Sequence, residues 1–351
     1  MKKQFVLLLM ALLVCGMMVA CATEPVPESA PDATAEVPTY EALTLKMGHS
    51  APVGSTLDVV AQSIVDEVAA KTDGLLTIEI YPAAQLGDEN VMFDSVMSGT
   101  LDMDFVGTPI LSTVMPEFNA VSLPFLFKDV EEFFSVVTSE EFISTTNAIV
   151  NEKNLELIGY PNGEMRGLSN VKHEVRTPED LKGLTIRVMS GSMYTDMFQA
   201  MGAITSTLAF GEVYSALQQG VIDGEDNGLN MLDMMKFMEV EKYHTALGHT
   251  VQTNPLVVNK QVWDSLPAEW QQIIRDAVKT QEDNYITGIL EPQIAASKAV
   301  CEENGVNIVM ELTDEEYQAF RDSVQSVYEK YQAVIGDEFY TFILDLVESY
   351  R

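Results

Sequence analysis

Arg187 closes the run Leu184-Thr185-Ile186-Arg187-Val188 and stands just before the turn Met189-Ser190-Gly191. Open α/β sheets form their ligand crevices at the carboxyl ends of strands, so this is where a binding side chain belongs. A guanidinium offers a planar fork matched to a carboxylate and stays charged at any relevant pH. The same arginine could instead pair with a structural Asp or Glu. Asp88 and Glu89 could meet a ligand hydroxyl, or start a helix favourably with negative charge. The acidic group Asp223, Glu225 and Asp226 lacks the spacing of a calcium loop, and its flanking glycines suit a turn. His244 and His249 are five apart and would fall on different faces of a helix, which argues against zinc. Met231, Met234, Met235 and Met238 read as core filler at helical spacing. No metal and no cofactor are expected. An exported hydrolase would carry Gly-x-Ser-x-Gly, His-Glu-x-x-His or a similar motif, and none occurs, so no enzyme is expected.

The elements that must hold these residues come in two similar sets. Leu43–Gly48 alternates as a strand, residues 57–71 repeat apolar residues at helical spacing, and residues 75–81 form a second strand. A helix running through Met97 and a strand at 101–106 follow. A strand-helix-strand order implies a parallel sheet. After a further strand at 155–160 the pattern returns. Thr177-Pro178-Glu179-Asp180 opens a short helix by side-chain capping and first-turn proline, 184–188 is a strand, and 193–201 is helical. Two α/β units imply two lobes with a cleft between them. From Pro267 to about Glu303 the chain reads as one helix, interrupted by Pro292 and long enough to cross both lobes.

The first residues read as an address. Lys2 and Lys3 precede an apolar run from Phe5 to Val14, the order of a secretory signal. Met18-Val19-Ala20-Cys21 resembles a bacterial lipobox, with Cys21 as the lipidated residue. Several acyl chains would hold the protein on a membrane surface. Residues 22–40, rich in Pro, Ala, Glu and Thr, read as a tether. The chain has 351 residues and three cysteines; removing the signal leaves Cys301 as the only unlipidated one, so no disulfide framework is available. The net charge of −33 becomes −35 without Lys2 and Lys3. Such a surface repels nucleic acid and anionic lipid.

Several ordered motifs, read together, resemble the DctP-like solute-binding proteins of TRAP transporters. They are Tyr81-Pro82 before Gln85-Leu86-Gly87-Asp88, Gly99-Thr100-Leu101-Asp102-Met103, Leu123-Pro124-Phe125, Thr177 to Val188, Phe210 to Glu225, and Val262 to Pro267. The resemblance implies an α/β periplasmic-binding-protein-like fold of class II type, with two lobes, a cleft and a long helix crossing both. With the N-terminal reading, residues 1–20 are the expected signal peptide and 21–41 the lipidated N-terminus and tether. One lobe then holds 42–161 with 253–292, and the other 162–252 with 293–351. The resemblance also implies that Arg187 holds a substrate carboxylate, that Arg166 ahead of Ser169-Asn170 assists, and that Asn227 carries over. The family's Gln-Glu-Asn-Pro is here Glu225-Asp226-Asn227-Gly228. Phe210 matches an aromatic that lines the pocket in relatives, and His49 and Ser50 follow the first strand where relatives present polar contacts. The expected partners are a small organic acid, with a lean toward sugar acids, and the small and large membrane subunits of an ion-gradient-driven transporter. A monomer on the cell surface or in the periplasm is expected. The rival readings are a binding subunit of an ATP-driven importer and a sensor for a receptor.

Overall fold

The computed structural model describes residues 40–351. The signal, Cys21 and nearly all of the tether lie outside the described residues.

Strand β1, Leu43–His49, exposes Leu43, Thr44 and Lys46, buries Leu45 and then Met47 to His49, and runs parallel to β2, Leu76–Tyr81, with Leu45 opposite Ile78. The helix Thr56–Lys71 between them starts where the Ser55 side chain accepts the Asp58 N–H, and it buries Val60, Ile64 and Val68 completely. Each such side chain contributes about 1.5–3 kcal/mol of burial. β3, Met103–Phe105, joins the other edge of β1 in parallel. β4 is Leu155–Gly159.

Beyond it the ribbon strand β5, Glu164–Met165, leads to β6, Gly167–Asn170; β7 is Thr185–Val188 and β8 Ile204–Thr207. β9, Gly224–Asn227, lies between antiparallel β6 and parallel β7. β10 is Tyr243–Thr245, β11 Val251–Gln252, β12 Leu256–Asn259 and β13 Asn307–Val309. One sheet runs β2-β1-β3-β12-β4 and the other β13-β10-β6-β9-β7-β8, while β5 and β11 pair into a two-stranded ribbon. The expected two α/β lobes are therefore present, and the chain passes from one sheet to the other beside this ribbon.

A third connection is helical. Ala268–Tyr285 packs on Thr56–Lys71 and on β4, and Glu291–Glu303 packs on Leu229–Met234 in the second lobe. The helix does not stop at Pro292. It widens at Ile286–Leu290 into a π-turn, with the Glu291 N–H reaching back to the Ile286 carbonyl. Pro292 has no N–H to offer, and its ring would crowd a regular α-turn, so a wider turn accommodates it.

Three expectations need correction. Residues 224–227 are not a turn but a central strand, buried although three of the four are polar. His244 is on β10 and His249 lies outside any helix. The C-terminal segment is not confined to the second lobe. Arg176 clamps Glu316 in a bidentate pair at 2.6 and 2.8 Å, and Tyr331 Oη donates to Asp196 at 2.7 Å, both within that lobe. Gln325–Ile335 also packs on Pro116–Ser122 of the first lobe, as does Asp337–Ser349, and Arg351 pairs with Glu132 at 2.8 Å. These helices present apolar faces to both lobes, so residues 293–351 span the division rather than respect it.

Candidate functional site

A cavity of about 230 Å³ opens between the lobes. Ser50, Pro52, Asp88, Glu89 and Pro109 line it from the first, Arg187, Tyr194, Phe210, Asn227 and Met231 from the second, and Gln252 to Asn254 from the segment that crosses between them.

Arg187 is the cation of this wall and is 3% exposed. Its Nε and Nη2 donate to the Leu208 carbonyl at 3.0 and 2.8 Å, which fixes one edge of the guanidinium. Its Nη1 is buried without a partner. The Phe210 ring lies 5.9 Å from the guanidinium carbon and packs edge-on against Phe237. Burial lowers the Arg187 pKa to about 10, opposed by Glu225 and reinforced by Arg166, so the side chain remains a cation at neutral pH.

Arg166 lies behind that wall and does not line the cavity. Fully buried, it donates from Nε to Asp226 Oδ1 at 2.7 Å, from Nη1 to Gln252 Oε1 at 3.1 Å and from Nη2 to Asn227 Oδ1 at 3.2 Å and to the Asp226 carbonyl. His249 Nε2 meets the same Asp226 oxygen at 3.0 Å. Burial alone would raise the Asp226 carboxyl, but Arg166 and His249 hold it at about 2. Asn227 therefore faces the cavity with its carbonyl oxygen already occupied by Arg166, while its Nδ2 donates to Glu225 Oε2.

The first-lobe residues divide in the same way. Ser50 lines the cavity, whereas His49 is fully buried beside Asp58 at 3.2 Å and does not. Asp88 caps its helix by accepting the Val91 N–H at 3.0 Å and still faces the cavity. Glu89 Oε1 accepts the Gly107 N–H at 2.5 Å, and burial raises the carboxyl despite that bond and the nearby Arg187. Met231 and Met235 line the cavity rather than merely filling a core.

Sequence reasoning assigned no ligand-facing role to Tyr194, Gln252, Thr253 or Asn254. The last two are tied to the other crossing segment at Asn162. Asn254 N donates to Asn162 Oδ1 at 3.0 Å, and Thr253 Oγ1 donates to the Asn162 carbonyl at 2.7 Å. Polar residues at a lobe crossing were the available signal. Gly228 also has a reason: a Cβ there would run into the Glu164 carboxylate, which would have to shift. Asn227 keeps its place in the wall all the same.

Residues 47–334 match the family described as bacterial extracellular solute-binding protein, family 7, whose short name is DctP. The chain belongs to that family. A solute-binding protein of Chromohalobacter salexigens is 32% identical over 282 residues, covering 80% of this chain and 81% of the relative. A TRAP periplasmic solute-binding protein from Sulfitobacter sp., solved with bound β-D-galacturonate, superposes with a TM-score of 0.81 at 26% identity, covering 88% of this chain and 100% of that one. Another from Chromohalobacter salexigens, solved with bound D-glucuronate, gives 0.80 at 28% identity, covering 86% and 99%. This TRAP-type solute-binding protein thus has the two-lobed α/β fold of its family, whose members are extracytoplasmic receptors that work with membrane components.

Proposed function

We propose that this receptor captures a sugar acid by its carboxylate on Arg187, closes its lobes around it and delivers it to the membrane subunits of a TRAP transporter. The observation that carries the reading is the Arg187 guanidinium, anchored on Leu208 along one edge and left with a buried, unpartnered Nη1 in the wall of the cleft. A carboxylate supplies the missing acceptor in a charge-assisted bond. Phe210 offers a face to stack against the ligand. Ser50, Asp88, Glu89 and Asn227 bring polar groups that match hydroxyls around the rest of the cavity. Arg166 assists from behind by orienting Asn227 and Gln252. Hexuronates bound to two of the similar structures support a ligand of that size and charge.

The test is a thermal-shift screen with D-galacturonate, D-glucuronate, D-galactonate and C4-dicarboxylates. A true ligand at 100 times its dissociation constant stabilises the fold by about 2.7 kcal/mol. A shift with a sugar acid, lost in Arg187→Ala, is the expected result; a shift with dicarboxylates alone would move the reading to a different ligand class. The second part of the proposal is that lipidated Cys21 anchors the mature chain. Among the described residues no helix is long and apolar enough to cross a membrane. Cys21→Ser should release the protein from the membrane fraction, and persistent attachment would remove the anchor assignment.

A further inference from the structure

We infer that capture of a carboxylate by Arg187 is coupled to uptake of one proton by Glu225, so that the receptor takes its organic acid together with a proton. The inference rests on the reading of Arg187 given above. Arg187 and Glu225 are paired neighbours on the parallel strands β7 and β9, and both are buried. Paired residues of parallel strands project from the same face of the sheet, with the strands about 4.8 Å apart. Yet no hydrogen bond joins them. Arg187 spends Nε and Nη2 on Leu208, and Glu225 Oε2 accepts from Asn227 while Oε1 has no partner. The two charges therefore balance only through space.

The charges around Glu225 come from every element that packs there. Asp226 lies beside it on β9 and is already paired with Arg166. Arg187 faces it from β7 and Glu89 approaches Arg187 from the first lobe. Glu241, ahead of β10, is completely buried with both oxygens unpartnered, and burial followed by the nearness of Glu225 raises its pKa well above the usual carboxylate value. His244 on β10 holds Ser169 at 2.9 Å, and burial lowers its pKa to about 4, so it adds no charge at neutral pH. Taken pairwise, Arg166 is matched by Asp226 and Arg187 by Glu225, and Glu89 and Glu241 are further buried acids, so no cation is in excess.

A ligand carboxylate entering beside Arg187 adds one negative charge with no cation left to match it. Leaving a buried charge unmatched is far costlier than binding a proton. Glu225 is the natural acceptor, since burial and Asp226 already raise its pKa while only Asn227 and the through-space effect of the arginines resist. Protonation turns the carboxylate into a neutral acid and frees the charge of Arg187 for the ligand. A glutamine in this place, as in the related motif, would leave Arg187 permanently free and would need no proton.

The experiment has two arms. In the ligand-free native protein, carboxyl-carbon NMR should show a glutamate that titrates between about pH 5 and pH 9, is absent from Glu225→Gln, and moves to higher pH in Arg187→Met. A Glu225 that stays ionised or stays protonated across that range overturns the inference, whichever ligand is right. In the second arm, D-galacturonate and D-glucuronate are titrated calorimetrically in buffers of different ionisation enthalpy. On the alkaline side of neutrality the native protein should take up close to one proton per anion, with affinity falling about tenfold per pH unit. Glu225→Gln should bind without either effect. Unchanged proton uptake in Glu225→Gln, or its loss in Glu89→Gln or Glu241→Gln instead, overturns the assignment while leaving Arg187 as the carboxylate anchor. If neither acid binds the native protein, the sugar-acid reading falls, and the NMR arm still decides the fate of Glu225.

Discussion

Two arginines of the same lobe sit in different environments, and those environments separate the expected effects of removing them. Arg187 lines the cleft and keeps a buried Nη1 without a partner, so its truncation should act on binding. Removing one partner of a desolvated ion pair costs about 3–5 kcal/mol, which is roughly two to four decades of affinity. Arg187→Ala should therefore nearly abolish sugar-acid binding by calorimetry, and Arg187→Lys should restore only part, since an ammonium lacks the fork. Loss of less than about tenfold in the folded Ala variant would put the carboxylate elsewhere. Arg166 has every described bond inside the protein, to Asp226, Asn227 and Gln252. Arg166→Ala would strand Asp226 with His249 alone and should lower unfolding stability by about 3–5 kcal/mol in denaturant titration. A variant of native stability that fails only to bind would make Arg166 a direct ligand contact.

At the scale of elements, the long helix does more than span the lobes. Glu282 on its first half accepts the Tyr160 N–H at 2.8 Å, at the point where β4 gives way to the crossing segment. Burial raises this carboxyl to about 7. Gly159 makes the approach feasible, since a Cβ there would press on both the Glu282 carboxylate and Val278. Glu282→Ala should leave a buried N–H without its acceptor, a cost of about 1–3 kcal/mol. Faster amide exchange at Tyr160 and a lower melting temperature are expected, with Glu282→Gln close to native because its carbonyl still accepts. Equal protection in Glu282→Ala would show that the helix does not tie down this crossing.

Across the whole molecule, the buried acids decide how stability follows pH. Burial raises Glu164 to about 8 and Glu282 to about 7, and raises Glu89, Asp104, Glu225 and Glu241 as well. Between about pH 4.5 and pH 8 the native state thus binds more protons than the unfolded chain, so stability falls as pH rises through that window. Asp226, held at about 2, acts oppositely, and its contribution is lost as pH falls below about 4. His244 and His49 also oppose the trend, since burial lowers both and each must charge on unfolding below about pH 6.5. The raised acids outnumber these two, and the net charge of −33 adds repulsion at high pH. Melting temperature should peak near mildly acidic pH and decline toward pH 8; a rise over that range would show that these carboxyls are ionised in the native state. Closure belongs to this scale too. Small-angle scattering should give a smaller radius of gyration with saturating sugar acid, through bending at the β5–β11 ribbon and the π-turn, and an unchanged radius would mean a rigid cleft.

Local pattern determined much of this protein. The alternation of 43–48, the apolar helical spacing of 57–71, the Thr177-Pro178-Glu179-Asp180 start and the strand ending at Arg187 were legible because each depends on residues close in sequence. The long helix was legible from its length, although Pro292 announced a break and the chain answered with a π-turn. What needed tertiary structure was the fate of charge. Glu225-Asp226-Asn227 has no apolar alternation and sits between glycines, so by local rules it is a turn. It becomes a central strand because β6 and β7 satisfy its backbone on both sides and Arg166, His249 and Arg187 compensate its acids. None of those partners is near it in sequence. The same holds for Arg166 and His49, whose side chains turn away from the cleft toward Asp226 and Asp58, and for the C-terminal helices, whose apolar faces could be allotted to a lobe only once both lobes stood beside them.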